Sequence, residues 1–159
     1  MAPLSKRGEM KVVKIVFVAL IACAAIGVSM RSSFGQQAGS TARSVWDGAY
    51  TKEQAKRGEG LYAQNCSSCH GPDLTGNDEA ASLTGPAFLA NWDGLTMGDL
   101  SERVRVSMPP NNLGKLNRQQ IADVLSYVLS FNKFPVGAVE LDPKAEVQRQ
   151  VKIVATKPR

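Results

Sequence analysis

The sequence predicts an all-α fold, and three observations predict it. Ile121, Val124, Leu125, Val128 and Leu129 recur at i, i+3, i+4, i+7 and i+8, the rhythm of an amphipathic helix with one buried face. Thr51 with Gln54 three residues on makes a capping-box pattern. The stretch it opens, about Lys52 to Asn65, carries Ala55, Gly58 and Tyr62 as one stripe. No run of alternating Val and Ile that would read as a strand flanks the cysteines that follow.

The 159 residues suit one domain plus ends. Lys6, Arg7, Lys11 and Lys14 precede an apolar run from Ile15 to Met30, so residues 1–35 read as a secretory signal. Three fates stay open for it. Cleavage after Gly35 is favoured over lipidation at Cys23, in Leu20-Ile21-Ala22-Cys23, and over retention as a membrane anchor. For an anchor the sixteen apolar residues fall short of the roughly 20 that a spanning helix needs. In every version the folded part is exported, which places it in a bacterial periplasm. Without the leader, 14 Lys/Arg face 13 Asp/Glu, so the basic pI reflects leader and tail, and nucleic-acid binding loses its main support.

Residues 36–50 read as a flexible lead-in, rich in Gly, Ser, Gln and Ala as far as Ser44; Val45 to Tyr50 is more apolar and is expected against the domain surface. Residues 51–134 form the domain. Gly58, costing about 1 kcal/mol in a helix relative to Ala, is expected to let another helix cross closely. Gly71 to Gly85 is turn-rich and reads as a loop, after which Thr84 to Leu89 is apolar and Asn91-Trp92 closes the stretch. A helix is expected from near Met97 to about Ser107, with Leu100, Val104 and the stems of Arg103 or Arg105 turned inward. Met108-Pro109-Pro110 ends it, because the residue before a proline is pushed out of the helical region. Asn117 caps the last main helix, which ends near Asn132. Residues 135–159 are an extension with a basic tail: either a short helix with Val147, Val151 and Val154 on one face, or a frayed end.

The chemistry lies in Cys66-Ser67-Ser68-Cys69-His70. On a helix these thiols and the imidazole stand at i, i+3 and i+4 and share a face. Cys-x-x-Cys-His is the attachment pattern of a c-type haem, whose vinyl groups take thioether bonds from Cys66 and Cys69 while the iron takes His70. Structural zinc would want four ligands, and the chain has no second Cys pair and no other His. A redox dithiol would need a βαβ context, and a plain disulfide leaves His70 unexplained. With one histidine, bis-histidine ligation within the monomer is excluded. Beyond the leader only Met97 and Met108 remain; Met97 reads as core, and Met108, in a proline-stiffened loop, as the second iron ligand.

These residues resemble a class I cytochrome c over about Thr51 to Asn132. The likeness rests on Gly58-x-x-x-Tyr62, the Cys66–His70 motif, Gly85-Pro86, Ser107-Met108-Pro109-Pro110 and Val124-x-x-Tyr127. It implies three main helices wrapped around one covalently attached haem c, with first and last helices crossing near Gly58 and Tyr127. It also implies that the Pro86 carbonyl accepts the His70 ring N–H, fixing its tautomer. More narrowly, Val45 to Thr51, Phe88-Leu89-Ala90-Asn91-Trp92 and Met108-Pro109-Pro110 are similar to small cytochrome c domains beside or fused to pyrroloquinoline-quinone-dependent dehydrogenases. Trp92 is a candidate donor to a haem propionate and Arg103 or Arg105 a candidate partner of one, with ordinary packing as the alternative for each.

The expectation is a one-electron carrier, not an enzyme. It would accept from a dehydrogenase and pass electrons to an oxidase or other acceptor. A gas sensor or small peroxidase would need an open sixth position, and the chain offers no distal histidine and no acid-base pair for peroxide chemistry. A third reading makes the chain an interaction subunit, its basic tail docking on a larger oxidoreductase or an anionic membrane.

Overall fold

The computed structural model describes residues 43–158. The signal segment, with its cleavage point and Cys23, lies outside the described residues. Within them the chain is mostly helical: α1 Lys52–Asn65, α2 Ser67–His70, α3 Gly85–Trp92, α4 Met97–Ser107, α5 Arg118–Phe131 and α6 Ala145–Gln148. A single 3-10 turn covers Val45–Asp47, and β1 (Arg43–Ser44) pairs in parallel with β2 (Val151–Lys152).

The long helices α1, α4 and α5 stand where periodicity and caps put them. Thr51 accepts from the Gln54 N–H, Thr96 from Asp99 and Asn117 from Gln120, each closing one of the backbone donors left open at a helix start. Three main helices nevertheless undercount the fold. Gly85–Trp92, read as an apolar stretch after a loop, is an eight-residue helix with proline in its first turn, where a missing N–H costs nothing, and its Phe88 is fully buried.

Helices α1 and α5 cross at Gly58. A Cβ there would stand 1.8 Å from the Asp123 carbonyl oxygen and 3.0 Å from the Tyr127 Cβ. Around the crossing Tyr62 and Tyr127 pack with ring centroids 5.4 Å apart, and Arg57 grips the buried Asp123 through two bonds of 3.1 and 3.0 Å. Arg57 also reaches Glu140 at 2.9 Å. The bonds to Asp123 first, and then to Glu140, hold its guanidinium above its usual range.

Both chain ends of the described region are built into the core. Val45, Ala49 and Tyr50 are buried, and the Tyr50 hydroxyl donates to the Phe134 carbonyl at 2.7 Å. The Trp46 indole N–H donates to the Val154 carbonyl at 2.8 Å. After Phe134 the chain runs back over the domain as a strap. Gln148, Val151 and Ile153 are buried, and Ile153 exchanges backbone bonds with Gly94 and Leu95 at 2.9 and 2.8 Å. Neither reading of this tail describes it fully: the helix is four residues long, and Val151 belongs to a strand.

Gln54 departs from its expected role. Instead of closing a capping box it is fully buried, donating to the Leu141 carbonyl at 3.0 Å and accepting from the Leu141 N–H at 2.7 Å. One side chain thus satisfies both backbone groups of a residue 87 positions away.

Two outcomes are expected. Gly58→Ala gains about 1 kcal/mol of helix propensity but must displace backbone at the crossing, which costs about 1–3 kcal/mol or more. The clash is with a carbonyl that cannot swing away, so denaturant unfolding should find the variant less stable. Gln54→Ala leaves the Leu141 N–H and carbonyl without partners, at about 1–3 kcal/mol each. Hydrogen exchange at Leu141 should accelerate, and limited proteolysis should cut the strap before the domain.

Candidate functional site

The attachment motif starts where α1 ends. Cys66 closes α1, its N–H bonded to the Tyr62 carbonyl at 2.9 Å, and turns the chain with φ −127° and ψ −35°. Its own carbonyl then accepts from Cys69 at 3.1 Å and His70 at 2.9 Å, which makes α2 a single helical turn. Gly71, at φ 77°, ends it, and the Tyr62 hydroxyl donates to the Gly71 carbonyl at 2.6 Å. The two thiols and the imidazole therefore sit on one turn anchored at both ends to α1.

Both thiols are free. Cys66 packs half-buried against the apolar core, and burial first, then the neighbouring Cys69, pushes its thiol up to about 11. Cys69 is exposed. The pair straddles the boundary between core and solvent, and no disulfide joins the two.

His70 Nδ1 lies 2.8 Å from the Ala81 carbonyl oxygen. A carbonyl can only accept, so Nδ1 carries the proton and Nε2 keeps its lone pair for a metal. The expected acceptor was Pro86, and the loop explains the difference. Gly76 donates to the His70 carbonyl at 2.9 Å, Asn77 donates to the Ala80 carbonyl at 2.8 Å, and the Asn77 side chain accepts from Glu79 and Ala80 at 2.9 and 2.8 Å. This tight return brings residue 81 to the ring, while Pro86 is carried into the first turn of α3.

The other candidates stand on other elements. Met108 caps the C-terminus of α4 in extended backbone, φ −130° and ψ 143°, half-buried and followed by two prolines. Met97 is fully buried in the first turn of α4, a core residue. Trp92 ends α3, half-buried against the core. The arginine stems do not turn inward: Arg103 is exposed, and Arg105 lies along the surface, bonded to Glu102 at 2.8 and 2.5 Å.

The donor set fits a haem c: two free thiols for thioethers, and an imidazole whose outer nitrogen is fixed by backbone so that the other can bind iron. It is a single c-type haem attachment site. Residues 53–128 match the family described as Cytochrome C oxidase, cbb3-type, subunit III. No curated protein and no solved structure matches the chain. The matched stretch runs from the first turn of α1 into the last turn of α5 and includes both the attachment motif and Met108. The similarity is to a subunit of a cbb3-type cytochrome c oxidase, and it does not single out the quinoprotein-associated domains. No helix among the described residues is long and apolar enough to cross a membrane.

Sequence reasoning missed Ala81, because a backbone acceptor has no side-chain signature. The available hint was Asn77, a residue type that closes tight turns on its own backbone. Replacing Cys66 and Cys69 together with Ser should abolish haem staining on a denaturing gel of the exported protein. Either single variant should keep one thioether and part of the stain.

Proposed function

We propose that this chain is an exported monohaem c-type cytochrome of the class I fold, carrying one electron at a time between redox proteins. The observation that carries the reading is the single helical turn presenting Cys66, Cys69 and a His70 whose Nδ1–H is committed to Ala81. A haem c held there supplies a one-electron iron couple. Cys66 and Cys69 would tether it, and His70 Nε2 and the Met108 thioether would bind its iron. With both an imidazole and a thioether bound, the iron would have no vacancy for a substrate, and that ligand pair would favour a high potential. Trp92, at the end of α3, would donate to a haem propionate.

The partners that suit this reading are a periplasmic dehydrogenase as donor, of the quinoprotein type, and a respiratory oxidase as acceptor. The oxidase side is supported by the family match over residues 53–128. The stretch around Met108 has a partner-facing chemistry of its own. From Arg103 to Ala122 it holds Arg103, Arg105, Lys115 and Arg118 and no carboxylate, with Val106 and Leu113 exposed among them. Exposed apolar side chains and cations on one stretch suit a transient contact with an acidic redox partner, with Arg105 already paired to Glu102. The basic tail is anchored by buried Gln148, Val151 and Ile153, while Arg149 and Lys152 stay exposed, so its charge is tested by substituting Arg149 and Lys152 and not by deletion.

The test is the reduced optical spectrum of the exported protein with and without carbon monoxide. The native protein should keep its low-spin spectrum, and Met108→Ala should bind the gas. Rapid binding by the native protein would replace the carrier with a ligand sensor.

A further inference from the structure

Asn132 closes α5 at a point where the chain has left the haem motif by more than sixty residues, yet its side chain is spent on the loop that follows that motif. The carboxamide Nδ2 donates to the Leu83 carbonyl at 2.9 Å and to the Val128 carbonyl at 2.9 Å, and Oδ1 accepts from the Gly85 N–H at 2.9 Å. Three of its four hydrogen-bonding positions are filled. Two of the three fall on one short segment, residues 83–85.

That segment continues directly back to Ala81, whose carbonyl holds His70 Nδ1. Its remaining hydrogen bonds are local. Leu83 donates to the Leu74 carbonyl at 2.8 Å, and the Ser82 hydroxyl donates to Leu74 and Thr84 at 3.3 and 2.9 Å. Leu74 belongs to the same loop. Among the described residues, Asn132 is the side chain that hydrogen-bonds this segment to a long helix. It does so in a fixed register, because two bonds from one planar amide constrain both position and direction.

We infer that Asn132 is a positioning residue for His70. Through Leu83 and Gly85 it sets where the Ala81 carbonyl stands, and so holds the proton on Nδ1 and the plane of the ring. This rests on the haem reading above, and extends it from the ligand to the far end of α5. A carbonyl accepting from Nδ1–H makes Nε2 a stronger donor, which favours the oxidised iron. Loosening the carbonyl weakens that donation, so the reduction potential should rise.

The experiment uses the exported holoprotein and three variants. Asn132→Ala removes all three bonds, and Asn132→Asp keeps an acceptor for Gly85 but sets a carboxylate oxygen against the Leu83 carbonyl. Ser130→Ala is the control, since the Ser130 hydroxyl donates to the Tyr127 carbonyl at 2.8 Å at the same helix end and does not touch the loop. Two quantities are read: solvent exchange of the His70 Nδ1–H by nuclear magnetic resonance, and the midpoint reduction potential. Both Asn132 variants should exchange this proton at least about tenfold faster and have a higher potential, with the control matching the native protein. Unchanged exchange and potential in the Asn132 variants, with only a lower melting temperature, would reduce Asn132 to a helix cap and overturn the inference. Should Asn132→Ala fail to accumulate, Asn132→Asp decides by the same two readouts. A native protein without attached haem would instead overturn the cytochrome reading, and this inference with it.

Discussion

The Asp123 carbonyl oxygen occupies the space in which a side chain at residue 58 would begin. This backbone contact sets the distance between α1 and α5, and most of the site is positioned from those two helices. The C-terminus of α1 delivers Cys66 and, through Tyr62, holds the end of the one-turn helix carrying Cys69 and His70. The C-terminus of α5 delivers Asn132 to the segment that leads back to Ala81. The His70 turn and the segment leading to Ala81 are therefore tied to the two different helices of one crossing. Because a glycine and a carbonyl meet there, little can be adjusted without moving both helix ends.

The ends of the described chain act on the same frame from outside. Gln54 and Arg57 lie on the face of α1 reached by the strap, one bonding Leu141 and the other Glu140 as well as Asp123. Burial of Gln54 requires that its amide be satisfied, and the two Leu141 groups require the same of it, so each accounts for the other. Tyr50 and Trp46 tie the N-terminal segment to Phe134 and Val154, and Trp46 packs edge-on to Phe134 at 4.8 Å. The strap thereby braces the N-terminal half of α1, whose C-terminal end carries the haem motif. Exposed ion pairs such as Lys56–Glu59 add little, since solvent screens both partners.

What could be read in advance was what local chemistry decides. Thr51 and Asn117 cap helices because short oxygen-bearing side chains reach N–H groups two or three residues on, a relation contained in a few consecutive letters. Cys66, Cys69 and His70 were legible because attachment demands those residue types at that spacing. Gln54 was misread for the same reason that Thr51 was not. Its short-range pattern fits a capping box, but its partner is Leu141, and no local pattern reports a strap that returns across the domain. Thr84 to Leu89 was legible only as an apolar stretch after a loop, although proline suits a first helical turn and the buried Phe88 belongs to the helix it opens. Ala81 was invisible because its role belongs to an atom that every residue has.

That backbone acceptor has a physical consequence for an iron ligand. A carboxylate in the place of Ala81 would pull the proton further from Nδ1, change its own charge with pH, and rotate about its side-chain bonds. The Ala81 carbonyl does none of these. It is fixed by the loop closed through Asn77 and Leu74 and can only accept, so the orientation of the His70 ring is set by backbone. An electron carrier works best when its ligands hold nearly the same geometry in both oxidation states, since every rearrangement adds to the barrier. A neutral, non-titrating acceptor in a tied-down loop meets that demand, because it changes neither charge nor position when the iron would change oxidation state.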